Sequence, residues 1–334
     1  MSEMSYLDQG TTGNNAGHWS GIATPVSSDW KTTEILSASG GDYEVILSPV
    51  QVENLITSKF TTVKDRFVTG RFNPSTGDLL NWEVVKGRYE VIPNSLIVEK
   101  SKAIADLEGS FNLHSAGVFD FGRKFFVILS CGTTTFNNDA FSHYLVVLTS
   151  HDGSSPITYY CVDVRNSNSS VFRVTSQDHQ NSTKKRHTPN AENGLQEASS
   201  AISMRKEWTN EFHKSLSLLN SIKMPSTDGG VEKALDTVWP VSEADTTRKM
   251  KHRTEVVSYV INSYRSPHNL GIHGHTALSL YSAISEYFDH GRQVDRADSL
   301  QQMLELDNFI NRKKLMAYNI LASMKGDEHE ERTV

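Results

Sequence analysis

Two cysteines in 334 residues, Cys131 and Cys161, are too few for a disulfide framework or a four-ligand zinc site. Both lie inside apolar, strand-like runs, where a thiol is expected to be buried, free and unactivated. No stretch approaches the roughly 18–20 uncharged apolar residues of a membrane span, and the first residues carry neither the basic nor the apolar block of a signal peptide. The chain is therefore expected in the cytoplasm, away from membranes. There is no Gly-x-x-x-x-Gly-Lys phosphate loop, no Gly-x-Ser-x-Gly elbow and no His-Glu-x-x-His pair, so ATP-driven, serine-nucleophile and zincin chemistry are disfavoured and no cofactor is expected. Nor is there a positive excess. Thirty-three basic against 39 acidic residues leave a formal charge of -6, so any nucleic-acid surface must be a local patch.

What is present divides along the chain. Residues 1–27 are rich in Ser, Thr, Gly and Asn without an apolar period and read as a flexible arm. Trp19 and Trp30 stand out at its end, and large rings in a polar arm imply a groove on this subunit or a neighbouring one to cover them, hence a homo-oligomer. Asp42–Val52 and Phe67–Tyr89 carry β-branched and aromatic residues broken by Asn73-Pro74 and Thr76-Gly77, the pattern of antiparallel hairpins. A helix follows from Asn94 to Gly109. Strand runs then cover Ala116–Asp120, with Phe111–Leu113 before it, Lys124–Cys131, Ser142–Ser150 and Ile157–Val164, with Asp152-Gly153 as a hairpin turn.

From Ala191 the period becomes helical, with Leu195, Ala198, Ile202, Trp208, Phe212, Leu216 and Leu219 on one face. Further helices are expected over Arg248–Ser263, Thr276–Asp289 and Ser299–Ala322. The expected class is α+β, an antiparallel β-rich N-terminal half with an embedded helix followed by a helical C-terminal half. The boundaries drawn are an arm to residue 27, a core over 28–224, a helical region over 225–324 and an acidic tail over 325–334.

Two side-chain sets bear on chemistry. His273 and His275, with Asp289-His290 downstream, could bring imidazoles and a carboxylate to one metal, although histidines in a glycine-rich loop more commonly cap backbone groups. Arg165, Arg173, Lys184, Lys185, Arg186 and His187 lie between the last strand run and the long helix, with Asp178 as the one carboxylate between Ser167 and His187. Such a run before a helix can contact several phosphates, although a solvated charge run is the plainer reading. Tyr89, Phe119, Phe121, Phe125, Tyr159 and Tyr160 are candidate stacking partners for unstacked bases, or else core residues of the sheet.

Four segments in order, Leu145–Ser154 (LVVLTSHDGS), Val164–Asn168 (VRNSN), Arg186–Asn190 (RHTPN) and Ala283–His290 (AISEYFDH), resemble the phage/plasmid-like protein family, domain-of-unknown-function family nine-three-two. The resemblance spans roughly Ser28 to Leu300. It departs from the family at Val164–Asn168, where members often carry a cysteine, which argues against thiol chemistry. The order of hairpin, helix, meander and long helix is similar to that of single-strand annealing recombinases, which hold single strands in rings or filaments without ATP. The resemblance implies a phage or mobile-element protein that binds single-stranded DNA as a homo-oligomer and anneals complements, with Arg165, Arg173, Lys184, Lys185, Arg186 and His187 on the phosphates. The rival readings are a host-takeover or anti-defence protein, contacting a host protein through the acidic tail, and a metal-dependent nuclease built on His273, His275, Asp289 and His290.

Overall fold

The structure, a computed structural model, describes residues 17–73, 76–107, 109–174, 182–185, 194–242, 245–305 and 308–324. The strands are β1 (Thr24–Pro25), β2 (Ile46–Asn54), β3 (Lys59–Phe72), β4 (Leu79–Lys86), β5 (Asn112–Phe119), β6 (Lys124–Phe136), β7 (Asp139–Ser150), β8 (Ile157–Arg165), β9 (Val171–Phe172) and β10 (Ser182–Lys185). The helices are α1 (Thr32–Ser39), α2 (Asn94–Leu107), α3 (Gly194–Ser221), α4 (Asp228–Val238), α5 (Thr247–Tyr264), α6 (Leu270–His273), α7 (Ala277–Glu286), α8 (Arg296–Leu304) and α9 (Phe309–Ser323). The class is α+β as the sequence implies, with strands concentrated in the first half and helices in the second. Among the described residues no helix is long and apolar enough to cross a membrane.

Two sheets form. One has the order β2-β3-β4, and the other runs β1-β5-β6-β7-β8-β10 with β9 on β8. Asn137 and Asn138, both at positive φ, close the β6–β7 hairpin in two residues, the geometry that favours asparagine. The chain clusters into two compact units that do not follow the sequence boundaries, because β6, β7 and β8 each pass from one to the other. Unit 1 is Met1–Ser130, Leu145–Tyr159 and Thr183–Ile202; unit 2 is Cys131–Tyr144, Tyr160–Ser182 and Ser203–Val334.

In unit 1, α1 and α2 pack on each other and on β5. α1 opens with the Lys31 backbone N–H donating to Glu34 Oε2 at 2.6 Å and closes at Gly40 in the left-handed region. Gly117 lets the first described segment lie close, since a Cβ there would stand 2.3 Å from the Ile22 carbonyl oxygen. That segment corrects the arm reading. Trp19 is wholly buried within the unit, and β1 pairs with β5 through Thr24 and Pro25. Trp30 is half-buried, its carbonyl accepting from Lys102 Nζ at 2.6 Å. The tryptophan argument for a second subunit therefore falls away, because Trp19 is covered by its own chain.

In unit 2, α7 is buried from Ala277 to Ser285 and packs on α5, α9 and β9. Side-chain caps begin most of these helices: Thr227, Thr246 and Thr276 Oγ1 and Asn308 Oδ1 each accept from the backbone N–H three residues on. The Asn308 cap corrects the single helix expected over Ser299–Ala322, which is α8 and α9 with a break between them.

Replacing Trp19 by alanine should cost about 3–5 kcal/mol, the range for truncating a buried indole. A melting curve unchanged by Trp19→Ala would return residues 17–27 to the status of a loose arm.

Candidate nucleic-acid interface

Of the six basic or titratable residues expected on phosphates, the first two are inside the protein. Arg165 is wholly buried at the end of β8. Its Nε donates to Asp139 Oδ2 at 2.5 Å, and its terminal nitrogens donate to Asn269 Oδ1 and the His268 carbonyl. Burial holds its pKa below the usual guanidinium value, with Asp139 pulling the other way. Arg173 is equally buried and donates to the carbonyls of Cys161 and Met303, both at 3.2 Å. A phosphate reaches neither, so both leave the DNA-contacting set, because a guanidinium inside a core spends its donors on that core. Lys184 and Lys185 lie in β10, and Arg186 and His187 fall outside the described residues.

The metal candidates are similarly dispersed. His273 Nε2 lies 2.9 Å from Asp139 Oδ2, Asp289 receives Lys314 Nζ on both oxygens at 2.6 Å, and His275 Nδ1 faces the Tyr264 hydroxyl at 3.1 Å. His290 sits in the π-turn after α7. Among the described residues no group of three or more His, Cys, Asp or Glu side chains is placed to hold a metal ion.

Unit 2 does hold a hydroxyl–imidazole–carboxylate relay that the sequence reading missed. Thr134 Oγ1 is 2.7 Å from His143 Nε2, and His143 Nδ1 is 2.5 Å from Asp163 Oδ1. The other Asp163 oxygen accepts from Trp208 Nε1. Burial pushes the Asp163 carboxyl up, but the hydrogen bond and charge of His143, then Arg205 and Trp208, together hold it below its ordinary value. Imidazole and carboxylate are both sealed from solvent, so the relay ties β6, β7 and β8 together rather than presenting a nucleophile. Glu286 is a second hub: Ser263 and His268 meet its Oε2 at 2.8 and 2.9 Å, and Asn168 at 3.1 Å. Burial raises its carboxyl too, and His268 and Ser263 outweigh it, so the net shift is downward.

The arrangement that faces solvent is in unit 1. Of the six aromatics named as stacking candidates, Phe119, Phe125, Tyr159 and Tyr160 are buried, Tyr89 is half-buried, and Phe121 is 85% exposed. Phe121 sits in the 3-10 turn Asp120–Gly122 between β5 and β6, with φ of 50°, 57° and 94° at the three residues. Left-handed backbone costs a non-glycine residue about 1–2 kcal/mol, so the turn holds an exposed ring in a strained position.

The turn is held from below. The Tyr43 hydroxyl donates to the Gly122 carbonyl at 2.6 Å, and a Cβ on Gly122 would lie 3.0 Å from the Tyr43 ring and 3.2 Å from Arg71 Cζ. Arg71 stacks its guanidinium 4.5 Å from the Tyr43 ring centroid. Burial pushes the Tyr43 phenol up to about 12, against Asn94 and Arg71. Behind Tyr43, Trp82 stacks on His151 at 5.8 Å, and His151 Nε2 donates to Asn94 Oδ1 at 2.8 Å. The pieces come from β3, β4, α2 and the end of β7, and together they brace Gly122. Arg123 and Lys124 follow directly. Lys124 lies 4.0 Å from Asp120 and also acts on Asp152, while Arg71 lies on the Tyr43 ring below the turn and Arg123 is next to it in the chain.

Arg165→Met should destabilise the fold by about 3–5 kcal/mol, since it leaves Asp139 buried without its cation, and should change DNA binding only as far as it unfolds the protein. Acid should act through Asp163 and Glu286. Both carboxyls are lowered in the fold, so their contribution is fully present above their ordinary values of 3.8 and 4.5 and is lost as pH falls through the folded values. Melting temperatures measured from pH 7 to 3 should hold to about pH 4.5 and then drop, and Glu286→Gln should blunt the drop.

Comparison with curated proteins gives no match, and neither does comparison with solved structures. A family model does match, over residues 81–313, from within β4 to within α9. The matched span contains the Phe121 turn, the Thr134 relay and the Glu286 hub, and by it the chain belongs to the family described as Domain of unknown function (DUF932).

Proposed function

We propose that the protein binds single-stranded DNA and promotes ATP-independent annealing in phage or mobile-element replication or recombination. The observation that carries the reading is Phe121, an exposed ring on a strained left-handed turn, with Arg71 on the Tyr43 ring that holds the turn and Arg123 two residues after Phe121 in the chain. A ring held out at a cost in backbone energy has to be repaid by what it contacts. Arginines held at the turn and next to it in the chain favour an anionic partner, and the ring favours one with flat faces. Single strands offer both, and stacking tolerates any sequence because every base has a π-face, which is what annealing arbitrary complements requires.

Two further features support the reading. The element order, hairpin sheet, α2, antiparallel meander and long α3, is the one that resembles annealing recombinases. Lys184 and Lys185 stand in β10, so the basic run adjoining Arg186 and His187 is a second contributor to the phosphate surface.

The test is a titration of a dT oligonucleotide at several salt concentrations, with quenching of a labelled complementary pair, without ATP, as the annealing readout. Phe121→Ala should weaken binding roughly 5- to 150-fold, corresponding to about 1–3 kcal/mol per stacked base. Phe121→Trp should retain it. Phe121→Gly should bind as poorly as Phe121→Ala while melting no lower than the parent, because glycine relieves the turn. Arg71→Gln and Arg123→Gln should each flatten the log–log salt slope by about 0.7. If Phe121→Ala binds normally but Lys184→Ala with Lys185→Ala flattens the slope, the surface is at β10 instead. No affinity of the parent at low salt removes the function.

A further inference from the structure

The strand pattern makes both thiols core groups, and only one of them is. Cys161 on β8 is buried, whereas Cys131 on β6 is half-buried. Gly132 follows it with φ at 91°, and a Cβ placed there would meet nothing within 4 Å, so the strand is open beside the Cys131 sulfur.

From α3, Arg205 reaches the same sulfur. The arginine is 5% exposed, and its Nη1 donates to Thr209 Oγ1 at 2.5 Å. The guanidinium also donates a side-chain hydrogen bond to Cys131, while its buried Nε meets no acceptor among the described residues. A cation taken out of water needs both acceptors and a counter-charge. Asp163 acts on Arg205 through its charge, but His143 and Trp208 already occupy its two oxygens. Cys161 acts on it as well, yet burial pushes that thiol well up, so it stays protonated. Tyr144 on β7 also faces Cys131, and burial pushes its phenol up to about 12. That leaves the Cys131 sulfur, hydrogen-bonded to Arg205 and open on one side, as the group able to take up a negative charge there.

We infer that Cys131 is a modification site for small peroxides, with Arg205 as its guanidinium partner. The thiolate is the nucleophile, and a neighbouring arginine favours it over the thiol. Its sulfur attacks one oxygen of the peroxide, the O–O bond breaks, and the other oxygen leaves as hydroxide with the bonding pair. The sulfur is oxidised by two electrons to a sulfenic acid, and the peroxide is reduced. The inference stands apart from DNA binding, since the site includes neither Phe121 nor β10.

The test is peptide mapping by mass spectrometry on the reduced, native full chain, after hydrogen peroxide in the presence of dimedone, which traps sulfenic acids. Cys131 should carry the adduct and Cys161 should not. Alkylation by iodoacetamide, followed at each thiol against pH, should reach half its plateau at Cys131 below about 8.5, the ordinary thiol value. Arg205→Met should slow that alkylation about tenfold at pH 7 through a smaller thiolate fraction, with circular dichroism unchanged, and Arg205→Lys, which keeps the charge, should recover part of the rate. An unmodified Cys131, adduct on both thiols alike, a Cys131 profile centred at or above about 8.5, or an Arg205→Met rate equal to the parent's would each overturn the inference. If Arg205→Met does not fold, the adduct map and pH profile of the parent decide by themselves.

Discussion

A guanidinium removed from water must be met by enough acceptors to replace its hydration, and the fold of unit 2 is organised around doing this for Arg165. Asp139 supplies the charge, Asn269 and the His268 carbonyl supply geometry, and His273 shares the same Asp139 oxygen. Each of these groups comes from a different place in the chain: the start of β7, the loop after α5, and the short α6. Because none tolerates loss of its partner, the Arg165 cluster fixes where α5 ends and α7 begins relative to the sheet. Glu286 extends the same logic one turn further, collecting His268, Asn168 and Ser263, and Asp289 extends it to Lys314. Lys314 shows how tight this interior is: burial lowers its ammonium to about 8 even with Asp289 beside it.

This gives a physical role to two of the motifs on which the family resemblance rests. Val164–Asn168 and Ala283–His290 converge through the Asn168–Glu286 hydrogen bond, and the first contributes Arg165 while the second contributes Asp289. The Leu145–Ser154 motif works in unit 1, where His151 props Trp82 and Asn94 behind the Phe121 turn. Such motifs resemble catalytic signatures in composition, being dense in His, Asp, Asn and Arg. Buried and hydrogen-bonded to one another, they serve as architecture.

What the sequence made legible follows from how much each element is buried on one face. α2 and α3 show clear apolar periods because one side of each is covered: Ile97, Val98, Ser101 and Ile104 in the first, Ala201, Trp208, Phe212, Leu216 and Leu219 in the second. β3 was read only from Phe67 because its first half is exposed on both faces, so no alternation exists to detect between Lys59 and Arg66. β8 differs: every residue of ITYYCVDVR is buried, so Arg165, expected on phosphates, ends a continuous buried run and belongs to the core. Asn137-Asn138 and the Asn308 cap were signals present in the sequence and unused. Phe121 was legible as an aromatic and illegible as an exposed one, since only the left-handed turn, braced by Tyr43 from a distant segment, holds its ring outward.

The apolar exposures at Phe121 and at the end of the β2–β3 hairpin are distinguished by charge. Phe121 is one ring on a turn with Arg71 on the Tyr43 ring below it and Arg123 close by in the chain, and a flat ring near cations favours a ligand that is itself flat and anionic. The hairpin tip is several aliphatic groups and one ring with almost no charge, and it favours a ligand that is apolar and nearly neutral. A single-stranded DNA site on the tip would waste Leu55 and Ile56, which have no stacking faces, and a protein partner on Phe121 would have to desolvate Arg71 and Arg123 for the area of one ring. Of the two surfaces, the turn is the one whose chemistry suits the proposed nucleic-acid ligand. Because the family match begins within β4, the turn lies inside the matched span and the tip before it.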